Sequence, residues 1–171
     1  AIRLGTSNYY LIAECGDAGT DYGGFLRTIY VCNDTGTIAV GLVDSYEYDA
    51  SDGYTPSVVH VSGDIYAVAY YDAGASLVKV VTVTVNDANG DITTPFIDTQ
   101  SLSNNGITTS RIKMINARGS VYAIAYTSAD GDGWMETVWI NSAGAINNSV
   151  LDAEEFDGAD GLYPSMCSVD S

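Results

Sequence analysis

The sequence predicts an all-β protein, built as about three copies of a four-stranded antiparallel unit of ~54 residues and followed by the first strand of a fourth copy. Three observations carry that expectation. Ile65-Tyr66-Ala67-Val68-Ala69-Tyr70 returns as Val121-Tyr122-Ala123-Ile124-Ala125-Tyr126 and, more loosely, as Tyr9-Tyr10-Leu11-Ile12-Ala13-Glu14. Tyr10, Tyr66 and Tyr122 stand 56 apart, while Gly36, Gly90 and Gly144, and likewise Asp44, Asp98 and Asp152, stand 54 apart. Nowhere do apolar residues recur at three-to-four spacing between helix caps.

Each copy divides into four strands. The first is short: Ile2–Leu4, Ser57–Val61 and Arg111–Ile115. A glycine turn at Gly5, Gly63 or Gly119 leads into the Tyr-Ala-Val-Ala-Tyr strand. In that strand bulky residues alternate with small ones and neither face is polar, the pattern of a strand covered on both sides. A Gly- and Asp-rich loop of varying length follows, at Gly16–Gly24, Asp72–Ser76 and Ser128–Gly133, and its variability marks a surface connection. The third strand is β-branched and nearly continuous, over Leu26–Cys32, Leu77–Val85 and Met135–Ile140. It ends in a turn whose Gly36, Gly90 or Gly144 supplies a positive φ. The fourth strand is expected over Ile38–Val43, Ile92–Ile97 and Ile146–Leu151, each closed by Asp44, Asp98 or Asp152.

The copies are bounded at residues 1–54, 55–108 and 109–163, with 164–171 as the stub of a further one. Asp52-Gly53-Tyr54-Thr55-Pro56-Ser57 and Asp160-Gly161-Leu162-Tyr163-Pro164-Ser165 form the shared linker, and Gly106-Ile107-Thr108-Thr109-Ser110 is its degenerate middle version. Proline there interrupts ladder bonding and suits a crossover into a new sheet. Four-stranded antiparallel units joined by such crossovers are the blades of a β-propeller. Three blades do not close a ring, so the stub strand, with Pro164, Ser165, Met166, Cys167 and Val169, is the expected assembly element: an edge that pairs with another chain or a neighbouring segment, giving a ring or a filament.

The succession Tyr-Pro-Ser, short strand, Gly turn, Tyr-Ala-Ile-Ala-Tyr, loop, Thr-Val-x-Val-Asn, Gly turn, Ile, Ile-Asp resembles the propeller-type repeat arrays of archaeal and bacterial secreted or cell-surface proteins, over essentially the whole chain. It is similar in outline to sialidase-type blades, but their Ser-x-Asp-x-Gly-x-x-Trp box is missing at the third turn. The resemblance implies a secreted or surface-displayed, non-enzymatic structural protein and no specific ligand. A lectin-like propeller module that binds carbohydrate through its variable loops is the alternative.

Composition narrows the partners. Six Lys and Arg stand against 22 Asp and Glu, for a net charge of -16, which opposes nucleic acid and anionic membranes and favours basic partners or divalent cations. Seventeen of the acids are Asp, set beside Gly and Asn where they cap turns. No apolar run reaches the ~18 residues of a spanning helix, so no membrane insertion is expected. Ala1–Gly5 lacks a signal-peptide pattern and reads like the interior of a repeat, consistent with removal of a leader.

Candidate sites are few, and no cofactor is expected beyond calcium. Asp130-Gly131-Asp132-Gly133 alternates oxygen donors with glycine as calcium loops do, making Asp130 and Asp132 the candidate metal ligands, with a plain acidic turn as the competing reading. Asn33-Asp34-Thr35 and Asn147-Asn148-Ser149 are N-glycosylation sequons, so Asn33 and Asn147 are the expected glycan sites. His60, the only histidine, lies on an expected innermost strand and reads as core or channel-lining. Cys15, Cys32 and Cys167 have no metal-type spacing; they read as buried thiols, with a Cys15–Cys32 bridge as the alternative. The carboxylate pairs Glu154-Glu155 and Asp44-Glu47 carry no catalytic assignment in so acidic a chain.

Overall fold

The computed structural model of the chain describes residues 1–16, 22–102 and 111–167, and they form three antiparallel four-stranded sheets without a helix. Sheet 1 contains β1 (Ile2–Arg3), β2 (Tyr9–Cys15), β3 (Gly24–Tyr30) and β4 (Asp44–Asp49), hydrogen-bonded in that order. Sheet 2 repeats the meander with β5 (Gly53–Ser62), β6 (Ile65–Asp72), β7 (Leu77–Val85) and β8 (Ile92–Ser101). Sheet 3 does so with β9 (Lys113–Arg118), β10 (Val121–Thr127), β11 (Gly133–Trp139) and β12 (Asp152–Asp157). The expected linker Gly106–Ser110 lies outside the described residues.

The alternation in the Tyr-Ala-Val-Ala-Tyr strand decides how the sheets stack. Successive side chains of a strand point to opposite faces, so β6 presents Tyr66, Val68 and Tyr70 on one side and Ala67, Ala69 and Tyr71 on the other. The first set packs into a core with Leu4, Leu11 and Leu26 of sheet 1. The second packs against Met114, Tyr122, Ile124 and Tyr126 of sheet 3. Sheet 2 is therefore covered on both faces, as its apolar-both-sides pattern demands. At each joint one sheet offers a face of smaller residues (Leu11 and Ala13, then Ala67 and Ala69), and the next sheet inserts its Tyr-x-Val/Ile-x-Tyr face.

The fourth strands depart from the sequence expectation. In sheets 1 and 3 the strand begins at Asp44 and Asp152, the residues expected to end it, and runs to Asp49 and Asp157. The preceding segments pair with the third strand without forming a continuous ladder, through the bridges of Val31 with Ile38 and Ile140 with Ile146 and through separate backbone bonds such as those from the Val43 N–H to the Thr28 carbonyl and from the Leu151 N–H to the Thr137 carbonyl, both at 2.8 Å. In sheet 2 the ladder does start at Ile92, but it breaks register between Thr82 and Thr84 and resumes at Asp98. Asp44 and Asp98 instead turn a carboxylate oxygen toward the neighbouring sheet.

The hairpin glycines adopt the left-handed backbone their turns require, with φ of 68° at Gly36, 82° at Gly90 and 85° at Gly144. Gly90 also sits at a joint, where an added Cβ would lie 3.0 Å from the Tyr9 ring, whereas at Gly36 nothing lies within 4 Å. Gly36→Ala should therefore cost only the left-handed penalty of about 1–2 kcal/mol, and Gly90→Ala should cost measurably more in urea unfolding of the monomer. Equal losses for the two would contradict the close packing at Gly90.

Candidate assembly interface

The two joints between sheets are built from the same polar parts at equivalent places. Reading across each sheet, Leu11 pairs with Thr28 and Thr28 with Asp44; Ala67 pairs with Thr82 and Thr82 with Asp98; Ala123 pairs with Thr137 and Thr137 with Asp152. Cross-strand partners share a face, so each row aims a Thr hydroxyl and an Asp carboxylate the same way. In sheet 1 the Thr28 hydroxyl donates to the Gly90 carbonyl at 2.8 Å, and Asp44 Oδ2 accepts from the Ile92 N–H at 2.8 Å. In sheet 2 the Thr82 hydroxyl donates to the Gly144 carbonyl at 2.6 Å, and Asp98 Oδ2 accepts from the Ile146 N–H at 2.8 Å. Each Asp uses its other oxygen for the N–H of the residue that follows it, Ser45 or Thr99. A Thr–Asp clasp on one sheet thus holds the Gly-x-Ile turn of the next.

Apolar contacts surround each clasp. The Gly90 position packs against Tyr9 and Val43, and the Gly144 position against Ile65 and Ile97. Both threonines are fully buried. Burial puts a high cost on leaving a glycine carbonyl without a donor.

At the two outer sheets the same parts stand without partners among the described residues. Thr137 reaches only the carbonyl of its own neighbour Asp152, at a long 3.5 Å, while Asp152 Oδ1 accepts from the Ala153 N–H. On sheet 1, the Gly36 position has no neighbour within 4 Å. Ile38 is 60% exposed, whereas its counterpart Ile146, seated in a clasp, is 6% exposed. The apolar faces follow suit: Tyr10, Ile12 and Ile29 are half-buried, while Tyr66, Val68 and Val83 at the equivalent places are fully buried. On sheet 3, Met135, Leu151 and Phe156 are exposed, while Leu26 at the place of Met135 in sheet 1 is fully buried.

Of the expected assembly residues, Pro164, Ser165 and Met166 lie over the open face of sheet 3, where they close a cleft of about 420 Å³ with Ala125, Met135 and Phe156. They follow the path that the first linker takes over sheet 1: Gly161 lies against Gly133 as Gly53 lies against Gly24, and Tyr163 and Thr55 both hold a positive φ. Pro164–Cys167 nevertheless form no strand, Cys167 is exposed, and Val169 lies outside the described residues.

The other sequence candidates do not converge on a site. Asp130 accepts a short hydrogen bond from the Ser128 hydroxyl, which keeps its carboxyl below the usual range, and the Ser128 N–H donates to the Asp132 carbonyl at 2.9 Å. The loop is thus a turn closed on Ser128, and no group of three metal-binding side chains occurs among the described residues. His60 is exposed rather than buried in a core: its Nε2 lies 2.8 Å from the carbonyl of Gly63 in its own hairpin, and its ring rests 5.2 Å from that of Tyr66. Glu154 and Glu155, adjacent on β12, project to opposite faces. Asp44 is occupied by its clasp. Asn33 and Asn147 are both exposed.

The thiols are neither bridged nor fully buried. Cys15 closes one end of the β2–β3 hairpin opposite Gly24, and Cys32 lies past the Tyr9–Tyr30 pair at the other end. Seven residues of strand separate those ends by roughly 20 Å, far beyond the Cα spacing of a disulfide. Burial and the neighbouring Glu14 push the Cys15 thiol up, whereas hydrogen bonds from Thr35 and from the backbone of Asp34 and Thr35 bring Cys32 down. The thiolate is the reactive form, so iodoacetamide near neutral pH should modify Cys32 before Cys15, a sequence that peptide mass mapping would reveal or refute.

No protein-family model matches the chain, and no curated protein matches it either. The joints offer a direct check of the geometry. Thr82→Val and Asp98→Ala each remove one side of a buried clasp and should each destabilise the fold by about 1–3 kcal/mol. Urea unfolding that shows no loss for either variant would mean that these bonds do not hold the sheets together.

Proposed function

We propose that the protein is a non-catalytic structural protein of propeller-like blades, secreted or displayed on a cell surface, whose function is self-assembly into a filament or ring or assembly within a larger surface protein. The observation that carries this reading is the contrast between joints and ends. Every sheet face that has a neighbour is sealed by an apolar core and a clasp, and the two that lack one expose the same kinds of residue. Of the exposed large hydrophobic residues, only Ile97 belongs to the central sheet among the described residues. Exposed apolar surface concentrated at two ends is characteristic of a protein that associates. Strand pairing through Pro164–Val169 belongs to this proposal, since an unpaired edge recruits partners. Glycans at Asn33 and Asn147 belong to it as well, in keeping with an exported protein, and intact mass compared with the sequence mass would report their occupancy.

Multi-angle light scattering of the intact chain, with electron microscopy of the native material, tests the assembly. Masses above that of one 18.0 kDa chain are expected, and deletion of residues 164–171 should lower them. A net charge of -16 repels like copies at long range. Association should therefore strengthen as salt rises from about 0.01 to 0.15 M and the Debye length shrinks from about 30 to 8 Å. A single-chain mass across that range would overturn the self-assembly reading.

A further inference from the structure

We propose that copies of this chain join head to tail, with the open face of sheet 3 of one copy clasping the Gly36–Ile38 turn of sheet 1 of a second copy through Thr137 and Asp152. The inference rests on the assembly reading above and specifies its contact.

The internal joints supply the template. Three features recur at both: a Thr hydroxyl on a glycine carbonyl, an Asp carboxylate on an isoleucine N–H, and a Tyr-x-Val/Ile-x-Tyr face seated on a face of smaller residues. Each joint needs two different halves. Sheet 3 retains the accepting half, with Thr137 and Asp152 aligned with Ala123 and with Val121 and Leu151 where Ile65 and Ile97 hold Gly144. Sheet 1 retains most of the inserting half, with Gly36, Ile38, Tyr10 and Ile12, and has Glu14 in place of the second tyrosine. The halves sit on opposite ends of one molecule and are complementary to each other, not to themselves. Such a contact is heterologous, so it propagates or closes into a ring and does not stop at a two-fold dimer. The 161–166 segment leaves the clasp accessible, because it crosses sheet 3 at Ala125 and Thr127, toward the far end of β10 from Val121.

Two variants disable one half each. Asp152→Ala removes the acceptor from an exposed side chain. Gly36→Ala places a methyl where the equivalent Gly90 position already has Tyr9 at 3.0 Å and Val43 at 3.2 Å. Each should weaken self-association of the full chain by about ten- to a hundredfold in sedimentation equilibrium, the worth of a charge-assisted hydrogen bond or of a blocked contact. Circular dichroism melting of dilute monomer separates this from misfolding, and Thr137→Val, a nearly isosteric change, provides a further check with no backbone strain. The decisive experiment mixes the first two variants. The Asp152→Ala copy keeps a good Gly36 turn and the Gly36→Ala copy keeps a good clasp, so the mixture should form one-to-one heterodimers that grow no further. If the parent chain associates but the variants match it, or the mixture behaves as each variant alone, the head-to-tail contact is wrong while assembly stands. If the parent chain stays single at all concentrations, the assembly reading itself fails.

Discussion

The structure depends on one packing constraint: a sheet face of small residues receives the Tyr-x-Val/Ile-x-Tyr face of the next sheet. Alanine lets the neighbouring sheet approach, and the tyrosines fill the space with ring area, so the joint buries large apolar surfaces from short strands. Because neither face of the repeated strand is polar, no sheet of this kind satisfies itself. The tyrosine hydroxyls must then find partners of their own, some of them inside the joint. Tyr66 donates to Asp87 Oδ1 at 2.6 Å, Tyr126 to Glu136 Oε1 at 2.6 Å, and Tyr48 reaches the Gly53 carbonyl at 3.3 Å. Burial pushes the hydroxyls of Tyr48, Tyr66 and Tyr70 well above the ordinary tyrosine range, so they remain neutral donors.

Apolar faces of this kind could slide past one another, and the clasp is what sets their relative position. Hydrophobic contact is non-directional, but a Thr–Asp pair that recognises one carbonyl and one N–H is satisfied at a single register. The turn it recognises must be glycine for two reasons at once, the positive φ and the close approach of Tyr9 and Val43 or Ile65 and Ile97. The segments 38–43 and 146–151 are held to their own sheets by one bridge and separate backbone bonds each, without a continuous ladder. Their first residue is given to the neighbouring sheet in the second case, where Ile146 meets Asp98, and stands exposed in the first.

Much of this was legible in the sequence, for identifiable reasons. Period-two alternation of Tyr and Ala announced a strand covered on both faces, and the 54-residue spacing of Gly36, Gly90 and Gly144 announced three equivalent hairpins. The role of Asp44, Asp98 and Asp152 was not legible locally. An acid after an apolar run reads as a strand end, and its partner lies 48 residues away in the next copy. A usable signal did exist: the aspartates keep their period while the residues after them change from Ser-Tyr-Glu-Tyr to Thr-Gln-Ser to Ala-Glu-Glu-Phe. The threonines hid theirs, because Thr137 falls one residue out of the 54-residue step. The alternative of a Cys15–Cys32 bridge fails for a related reason, since closeness in sequence along a hairpin says nothing about which end each residue occupies.

The joint proposed between copies would differ from the internal ones in one respect that bears on its behaviour. On β3, Arg27 pairs with Ile12, the place held by Val81 in sheet 2 and Glu136 in sheet 3. Its Nε lies 2.7 Å from Glu14 Oε1, a contact of charges in which both side chains are still a third or more exposed, and its guanidinium sits over the Phe25 ring. Closing a second molecule over this face would remove the pair from water, and desolvation of two charges offsets much of what the surrounding Tyr10, Ile12 and Ile29 contribute. The first internal joint has Val81 there, fully apolar, and the second has Glu136 bonded by the Tyr126 hydroxyl. The same architecture would therefore give firm joints within the chain and a weaker, ion-sensitive one in the contact proposed between chains, with the difference set by Arg27 and Glu14 at the places that Val81 and Tyr70 hold in sheet 2.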